Sequence, residues 1–355
     1  MTKILCALSG GVDSSVAALL LKERGYDLVG VFMRNGIAES GEAAKKKSCC
    51  SASDARDASR VADSLGIPFF ALDFEDEFEG IIEQFIQEYR RGRTPSPCVH
   101  CNQDLKFGHL AGLARRLGAE GIATGHYARM REGRMYRPLD LDKDQTYFLF
   151  GVDPEVLGML SFPLGSLTKA EVRTLAKKAG LPTAQKPESM EICFVPGGDY
   201  RRLLEERGGL SPGRFVDREG RDLGPHMGLE AFTVGQRRGL PALGTPHYVL
   251  EIRPQSREVV LGPREALRIS RFPVQGLVWH GTVPGPDERI LVQIRARHRA
   301  AWCRFEGRGE AGGKEGNVLL EEAQEAVTPG QAAVFYKEDG LVLGGGWIGN
   351  RRTRL

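Results

Sequence analysis

The spacing of apolar and polar positions changes part-way along the chain. In the first part, short unbroken apolar runs at Ile4 to Leu8, Leu28 to Met33, Pro68 to Leu72 and Gly121 to Thr124 read as strands. Between them lie Ser14 to Arg24, Ser53 to Leu65, Glu77 to Arg91 and Asp104 to Leu117, where apolar residues return at helical spacing. Strands that alternate with helices predict a parallel sheet covered on both faces, with ligands bound beyond the carboxyl ends of the strands. A further helix is marked by Thr168-Lys169-Ala170-Glu171, a capping-box pattern, and should stop near Gly180 with Pro182 beyond.

After about residue 205 glycine and proline become frequent and the helical period fades. Tyr248 to Ile252, Val259 to Leu261, Ile290 to Ile294, Val318 to Glu321 and Ala332 to Tyr336 read as short strands, and Gly307 to Gly316 as an exposed hairpin loop. The pattern predicts an α/β domain over residues 1–205, a small β-rich central domain over 206–272 and a C-terminal β-barrel over 273–355. No internal repeat is present.

A length of 355 residues agrees with two or three domains, and 41% hydrophobic with 27% charged residues is ordinary for a globular protein. Disorder and a membrane span are not indicated. The first apolar run is short, ends in Gly-Gly and lacks a small-residue cleavage pattern, so it is not read as a signal peptide, and a cytoplasmic location is expected. Seven cysteines, an odd number in a long chain, do not suit a secreted disulfide framework. They are left as buried packing residues, metal ligands or reactive thiols. A net charge of +3 is too small to argue for nucleic acid, yet the arginines cluster at 90–93, 129–137, 237–238 and 295–299. Such clusters suit phosphate backbones, although each alone also fits a solvated face.

The sharpest chemistry lies in Ser9-Gly10-Gly11-Val12-Asp13-Ser14-Ser15, between the first strand and the first helix. Two glycines permit a tight turn and close approach of a ligand, and the free N–H groups of a helix start attract an anion. The spacing and the missing Lys exclude the GxxxxGK type of phosphate loop. The string resembles the SGGxDS signature of the PP-loop ATP pyrophosphatases, which split ATP between its α and β phosphates. It also fits a plain turn with Asp13 as N-cap.

Two thiols stand out. Arg93-Thr94-Pro95-Ser96-Pro97-Cys98-Val99-His100-Cys101-Asn102 sets a CxxC just before an expected helix, and a thiol at a helix N-terminus is favoured as thiolate, which makes Cys101 a candidate nucleophile. The same pair could be half of a zinc site. Cys193 lies in Lys186-Pro187-Glu188-Ser189-Met190-Glu191-Ile192-Cys193-Phe194, whose content suggests a loop, although a Cys between Ile and Phe also suits a small buried hydrophobe. Cys49 and Cys50 fall in a polar stretch and look exposed, while Cys6 and Cys303 are expected inside strands.

These strings occur in order with Thr124-Gly125-His126-Tyr127, Lys143-Asp144-Gln145-Thr146-Tyr147-Phe148-Leu149, Gly235-Gln236-Arg237-Arg238-Gly239-Leu240, Thr328-Pro329-Gly330-Gln331 and Leu343 to Gly346. As an ordered set they resemble the bacterial tRNA-specific 2-thiouridylases, almost end to end. The resemblance implies an enzyme that replaces the 2-oxygen of the wobble uridine in tRNAs for Lys, Glu and Gln with sulfur. ATP adenylates the oxygen and pyrophosphate leaves. Sulfur arrives from a relay protein or cysteine desulfurase as a persulfide on Cys193, and Cys101 frees it, closing a Cys101 to Cys193 disulfide. By position, the ATP contacts are Ala7, Leu8, Ser9, Gly10, Gly11, Val12, Asp13, Ser14, Met33 and Gly125, with Asp13 associated with Mg²⁺. Lys143, Asp144, Gln145, Arg297 and His298 match tRNA contacts, Ser96, Pro97 and Cys98 match the segment near the target base, and Asn102 shapes the loop.

One departure is Cys98, where better-known members carry Asp. An acid–base carboxylate cannot be transferred to that point. Cys98, Cys101 and Cys193 also make the ligand count of a 4Fe–4S cluster with one open iron, which stands beside the persulfide route as an alternative. Two rival classes remain open: an adenylating ligase acting on a small acid, and an RNA-binding module that has kept a nucleotide fold.

Overall fold

A computed structural model of the chain describes residues 1–36, 52–188, 192–195, 198–308 and 314–350. The chain divides into two compact units, one made of Met1–Ile81, Cys98–Gly198 and Gly340–Val342, the other of Ile82–Pro97, Asp199–Asp339 and the segment from Leu343 onward.

The first unit runs β1 (Lys3–Ala7), α1 (Val12–Glu23), β2 (Asp27–Arg34), α2 (Ala52–Leu65), β3 (Phe69–Asp73) and the first turns of α3 (Glu75–Arg90). It resumes with α4 (Pro97–His100), a π-helical stretch Cys101–Gly108, α5 (His109–Arg116), β4 (Gly121–Ala123), the hairpin of β5 (Arg129–Arg131) and β6 (Arg134–Tyr136), α6 (Pro154–Leu157), β7 (Leu160–Ser161) and α7 (Lys169–Lys178). The sheet order is β3-β2-β1-β4-β7, with every pairing parallel: Cys6 faces Gly30 on one side and Ala123 on the other. The chain leaves β1 toward β2 and later returns to β1's other side as β4. The order therefore reverses between β1 and β4, where α/β sheets open a crevice at their carboxyl ends.

Apolar runs that fill both faces explain why the strands are buried. Cys6, Leu8, Leu28, Phe32 and Ala123 pack with Ala18 and Leu21 of α1 and Ala58 and Ala62 of α2. Val12, Val16 and Ala17 meet Val172 and Ala176 of α7. Emptying a site such as that of Phe32, 1% exposed, costs about 3–5 kcal/mol.

Two expected boundaries move. The first helix begins at Val12 rather than Ser14. The helix expected from Asp104 begins at Pro97 and continues to Arg116 through the π-helical stretch, because Pro suits a helix's first turn. Cys98 thus occupies the first turn and Cys101 the next, so the helix-terminus argument made for Cys101 rests on a start that lies elsewhere.

The second unit contains α8 (Tyr200–Glu206), β8 (Gly213–Val216), β9 (Asp222–His226), β10 (Tyr248–Arg253) and β11 (Glu258–Gly262), with sheet order β10-β11-β8-β9 over a core of Phe215, Leu229, Phe232, Val249, Val259 and Leu261. Pro225 is accommodated because β9 is an edge strand. A closed barrel follows: β12 (Arg268–Trp279), β13 (Ile290–Gln293), β14 (Ala301–Arg308), β15 (Glu315–Glu325), β16 (Ala332–Tyr336) and β17 (Val342–Ile348), in the order β12-β15-β14-β13-β16-β17. The expected loop at Gly307 to Gly316 is shorter, since these two residues pair with each other within β14 and β15. Cys6 and Cys303 are buried in strands as expected. Cys49 and Cys50 lie outside the described residues.

Candidate active site at the glycine loop

The loop after β1 sits at the switch between β1 and β4. Gly10 takes φ +69, and a side chain there would strike the backbone of Asp54. Gly125, just past β4, packs so close to the backbone of Asp13 and Ser14 that a Cβ would collide with it. Both glycines are therefore steric requirements of the loop. Ser14 and Ser15 hydroxyls donate to the Gly11 carbonyl, and Ser14 Oγ accepts from Ser9 N at 3.1 Å. The first-turn N–H groups of α1 have no intrahelical acceptors and face the positive end of the helix dipole. Gly11, not Asp13, holds the N-cap position, so the plain-turn reading of Asp13 fails.

Asp13 turns instead into a cavity of about 200 Å³ lined by Ser9, Gly11, Val12, Asp54, Tyr127, Lys143, Gln145, Lys169, Lys186, Pro187 and Glu188. Lys169 Nζ lies 2.7 Å from both carboxylate oxygens of Asp13, and Tyr127 Oη donates to Oδ1 at 3.0 Å. Burial, and next the Asp13 charge, hold the Tyr127 phenol above its ordinary range. Lys169 also approaches Glu188 at 3.2 Å, and Lys143 donates to Glu188 at 2.8 Å. Burial opposes the Glu188 charge, but the hydrogen bonds from Lys143 and Lys169 outweigh it and hold the carboxyl below its usual value. Lys186 donates to Asp54 and to Asp57, both at 2.5 Å. Burial disfavours that ammonium, yet its two carboxylate partners raise its pKa overall.

The elements explain these placements. The capping box at Thr168 and Glu171 fixes the start of α7 and so places Lys169 on its first turn. Behind β4, His126 is buried with Nδ1 2.8 Å from Thr124 Oγ1; burial, then Lys106, keep the imidazole well below its ordinary pKa.

The expected nucleotide contacts Ala7 to Ser14 and Gly125 gather here, and Met33 is half-buried near the same end of β2. Of the expected tRNA contacts, Lys143 and Gln145 line the cavity, while the Asp144 carboxylate is spent inside the fold on Arg137 Nε, Thr146 N and Thr146 Oγ1. Ser96 and Pro97 are buried and Cys98 is exposed. Arg297 is exposed and His298 half-buried in the loop between β13 and β14, in the second unit. Burial, then Arg295, lower the His298 pKa.

Cys101 and Cys193 are half-buried, and the five described cysteines are thiols rather than disulfides. Asn102 Nδ2 donates to the Phe148 carbonyl at 3.1 Å, tying the π-helical stretch to the segment after Gln145. Phe194, beside Cys193, packs edge-on against Phe78 at 5.8 Å.

Asp54, Lys169 and Glu188 carry no role in the sequence reading. The capping box at Thr168 is the local signal that could have marked Lys169; nothing local marks Asp54. Asp13 and its neighbours suit Mg²⁺, which takes one or two carboxylates together with substrate phosphates. Among the described residues no three His, Cys, Asp or Glu side chains gather closely enough to bind a metal, so Cys98, Cys101 and Cys193 do not form a cluster-ligating set as arranged.

Residues 2–197 match a family model described as the tRNA methyl transferase HUP domain, 201–263 a tRNA methyl transferase PRC-barrel domain and 270–348 an aminomethyltransferase β-barrel domain. The chain is 43% identical to the tRNA-specific 2-thiouridylase MnmA of Parvibaculum lavamentivorans, covering 98% of this chain and 90% of that protein. It is 46% identical to the protein of the same name from Geotalea uraniireducens, covering 98% and 94%. A 4-thiouridine synthetase solved with RNA and ATP overlaps at a TM-score of 0.35 and 21% identity over 58% of this chain and 50% of that one, too slight a likeness to bear on function. Near-complete coverage at such identity, on a parallel sheet with a glycine loop at its switch point, places the chain in the tRNA-specific 2-thiouridylase family.

Proposed function

We propose that the protein is a tRNA-uridine 2-sulfurtransferase, which uses ATP to adenylate the 2-oxygen of the wobble uridine in tRNAs for Lys, Glu and Gln and then replaces that oxygen with sulfur. The observation that carries the reading is the charged cavity at the Ser9 to Ser15 loop, in a chain of this family. The 2-oxygen attacks the α-phosphorus and pyrophosphate departs. A carbonyl oxygen is a poor leaving group, and adenylation turns it into AMP. Loop N–H groups and the start of α1 stabilise the charge on the leaving phosphates. Asp13 would hold Mg²⁺, which neutralises phosphate charge when bound.

In the second half-reaction a sulfur-relay protein or cysteine desulfurase loads Cys193 as a persulfide. Cys101 thiolate attacks the inner sulfur of that persulfide, a Cys101 to Cys193 disulfide forms, and sulfide is released to attack carbon 2; AMP leaves with the original oxygen. A cellular dithiol then reduces the disulfide. Ser96, Pro97 and Cys98 lie against the target base, and Lys143, Gln145, Arg297 and His298 hold the tRNA. The alternative of a 4Fe–4S cluster on Cys98, Cys101 and Cys193 finds no support in the arrangement of those thiols. No helix among the described residues is long and apolar enough to cross a membrane, which fits a cytoplasmic enzyme.

The test is incubation of the protein with unmodified tRNA, ATP, Mg²⁺, sulfide and a reductant. Formation of AMP and pyrophosphate only with tRNA, together with a wobble uridine heavier by the exchange of oxygen for sulfur, is the expected result. ATP left unsplit in the presence of the tRNA would overturn the reading.

A further inference from the structure

We propose that Lys169 and Lys186 are the polyphosphate-binding cations of this cavity, held in waiting by carboxylates that the nucleotide and its divalent cation displace. The inference rests on the reading of the cavity as a nucleoside triphosphate site. Three lysines and three carboxylates line it, so their formal charges cancel. A triphosphate carries about four negative charges and would gain nothing from a neutral cavity. A divalent cation changes that balance, because it takes carboxylate oxygens and leaves the ammonium groups to the phosphates.

The geometry suits such an exchange. Lys169 is doubly bonded to Asp13, which borders the α1 N-terminus, and Lys186 is doubly bonded to Asp54 and Asp57 on α2. Each lysine side chain is only 14% exposed, so its stem is packed and its head is aimed. A purely structural role explains this poorly, since buried ion pairs seldom stabilise a fold more than apolar residues of the same size. Side chains that must recruit a polyanion need to be charged and positioned before it arrives, and a carboxylate partner does both at once. Lys143 is more exposed, at 33%, and is bonded to Glu188 alone, which sets it apart from this pair.

The experiment uses the full chain and inorganic tripolyphosphate with Mg²⁺, which needs neither tRNA nor turnover. Lys186→Met should weaken tripolyphosphate at least about tenfold, the loss of one charge-assisted contact, and Lys186→Arg should restore most of it. Asp57 does not line the cavity, and Asp57→Asn frees Lys186 from one carboxylate. It should bind tripolyphosphate a few-fold more tightly than the wild type, a direction that loss of a structural bridge would not give. A folded Lys186→Met with wild-type affinity, or an Asp57→Asn that weakens binding, would overturn the assignment; should Lys186→Met not fold, the Asp57→Asn arm decides alone. Wild-type protein that grips tripolyphosphate but never forms AMP with tRNA would sink the sulfurtransferase reading and leave this one standing.

Discussion

Lys169 Nζ stands 2.7 Å from both carboxylate oxygens of Asp13, a pairing that spans 156 residues of sequence. The carboxylate is thereby fixed in orientation at the mouth of the glycine loop, with Tyr127 as a third partner. Asp13→Asn keeps the shape and removes the charge. AMP formation from α-labelled ATP in the presence of tRNA should fall by about 100-fold or more, the scale of losing one preorganised electrostatic contact. Turnover close to wild type would clear Asp13 of a part in the chemistry.

Cys193→Ala separates the two half-reactions. The variant should still convert ATP to AMP with tRNA but form no thiouridine, read by mass spectrometry of digested tRNA. Thiolation at the normal rate would move the sulfur to another thiol.

Arg297 is exposed in the β13–β14 loop, where a phosphate can reach it. Arg297→Ala should weaken tRNA binding and lower the slope of log affinity against log salt by about one, because one fewer counterion is released. An unchanged slope removes this contact.

How far the sequence reveals this arrangement depends on distance along the chain. The β1-loop-α1 unit is written in adjacent residues, so strand, glycine turn and helix start are all legible, as is the capping box of α7. Lys169 and Lys186 reach Asp13 and Asp54 across more than a hundred residues, and only the folded sheet brings them together. Within the barrel, β17 carries three consecutive glycines, which disfavour a strand, yet it pairs with β12 and closes the barrel. Tertiary pairing overrides local preference there. The early start of the helix at Pro97 was legible in principle, since Pro is at home on a first turn.

Gly125→Ala tests the seat of the loop. The added methyl meets the backbone of Asp13 and Ser14, which cannot swing away as a side chain could. A destabilisation of about 1–3 kcal/mol is expected from the overpacking, together with weakened ATP binding. Thermal melting and nucleotide titration check both, and a variant equal to wild type in each would mean the loop moves more freely than its packing suggests.

His126 gives the pH dependence a sign. Its folded pKa lies well below the ordinary 6.5, so on acidification the unfolded chain takes up a proton that the folded protein refuses. The stability it contributes is present above about pH 6.5 and is lost below it, at up to about 1.4 kcal/mol per pH unit. Melting followed from pH 7.5 to 5 should show a shallower decline in His126→Asn than in the wild type. Parallel curves would contradict the buried neutral imidazole.

The π-helical stretch Cys101–Gly108 carries a consequence for length rather than composition. A wide turn stores extra chain, and deleting one residue from it would let an ordinary α-helix form while rotating all that follows by about 100°. Leu110, Ala111 and Ala114, now buried, would swing out of the core, and the chain downstream of Cys101 would lose its registration with that thiol. Substitutions between Gln103 and Lys106 are thus far safer than insertions or deletions, and this short span is the last place where an engineered shortening of the chain should be attempted.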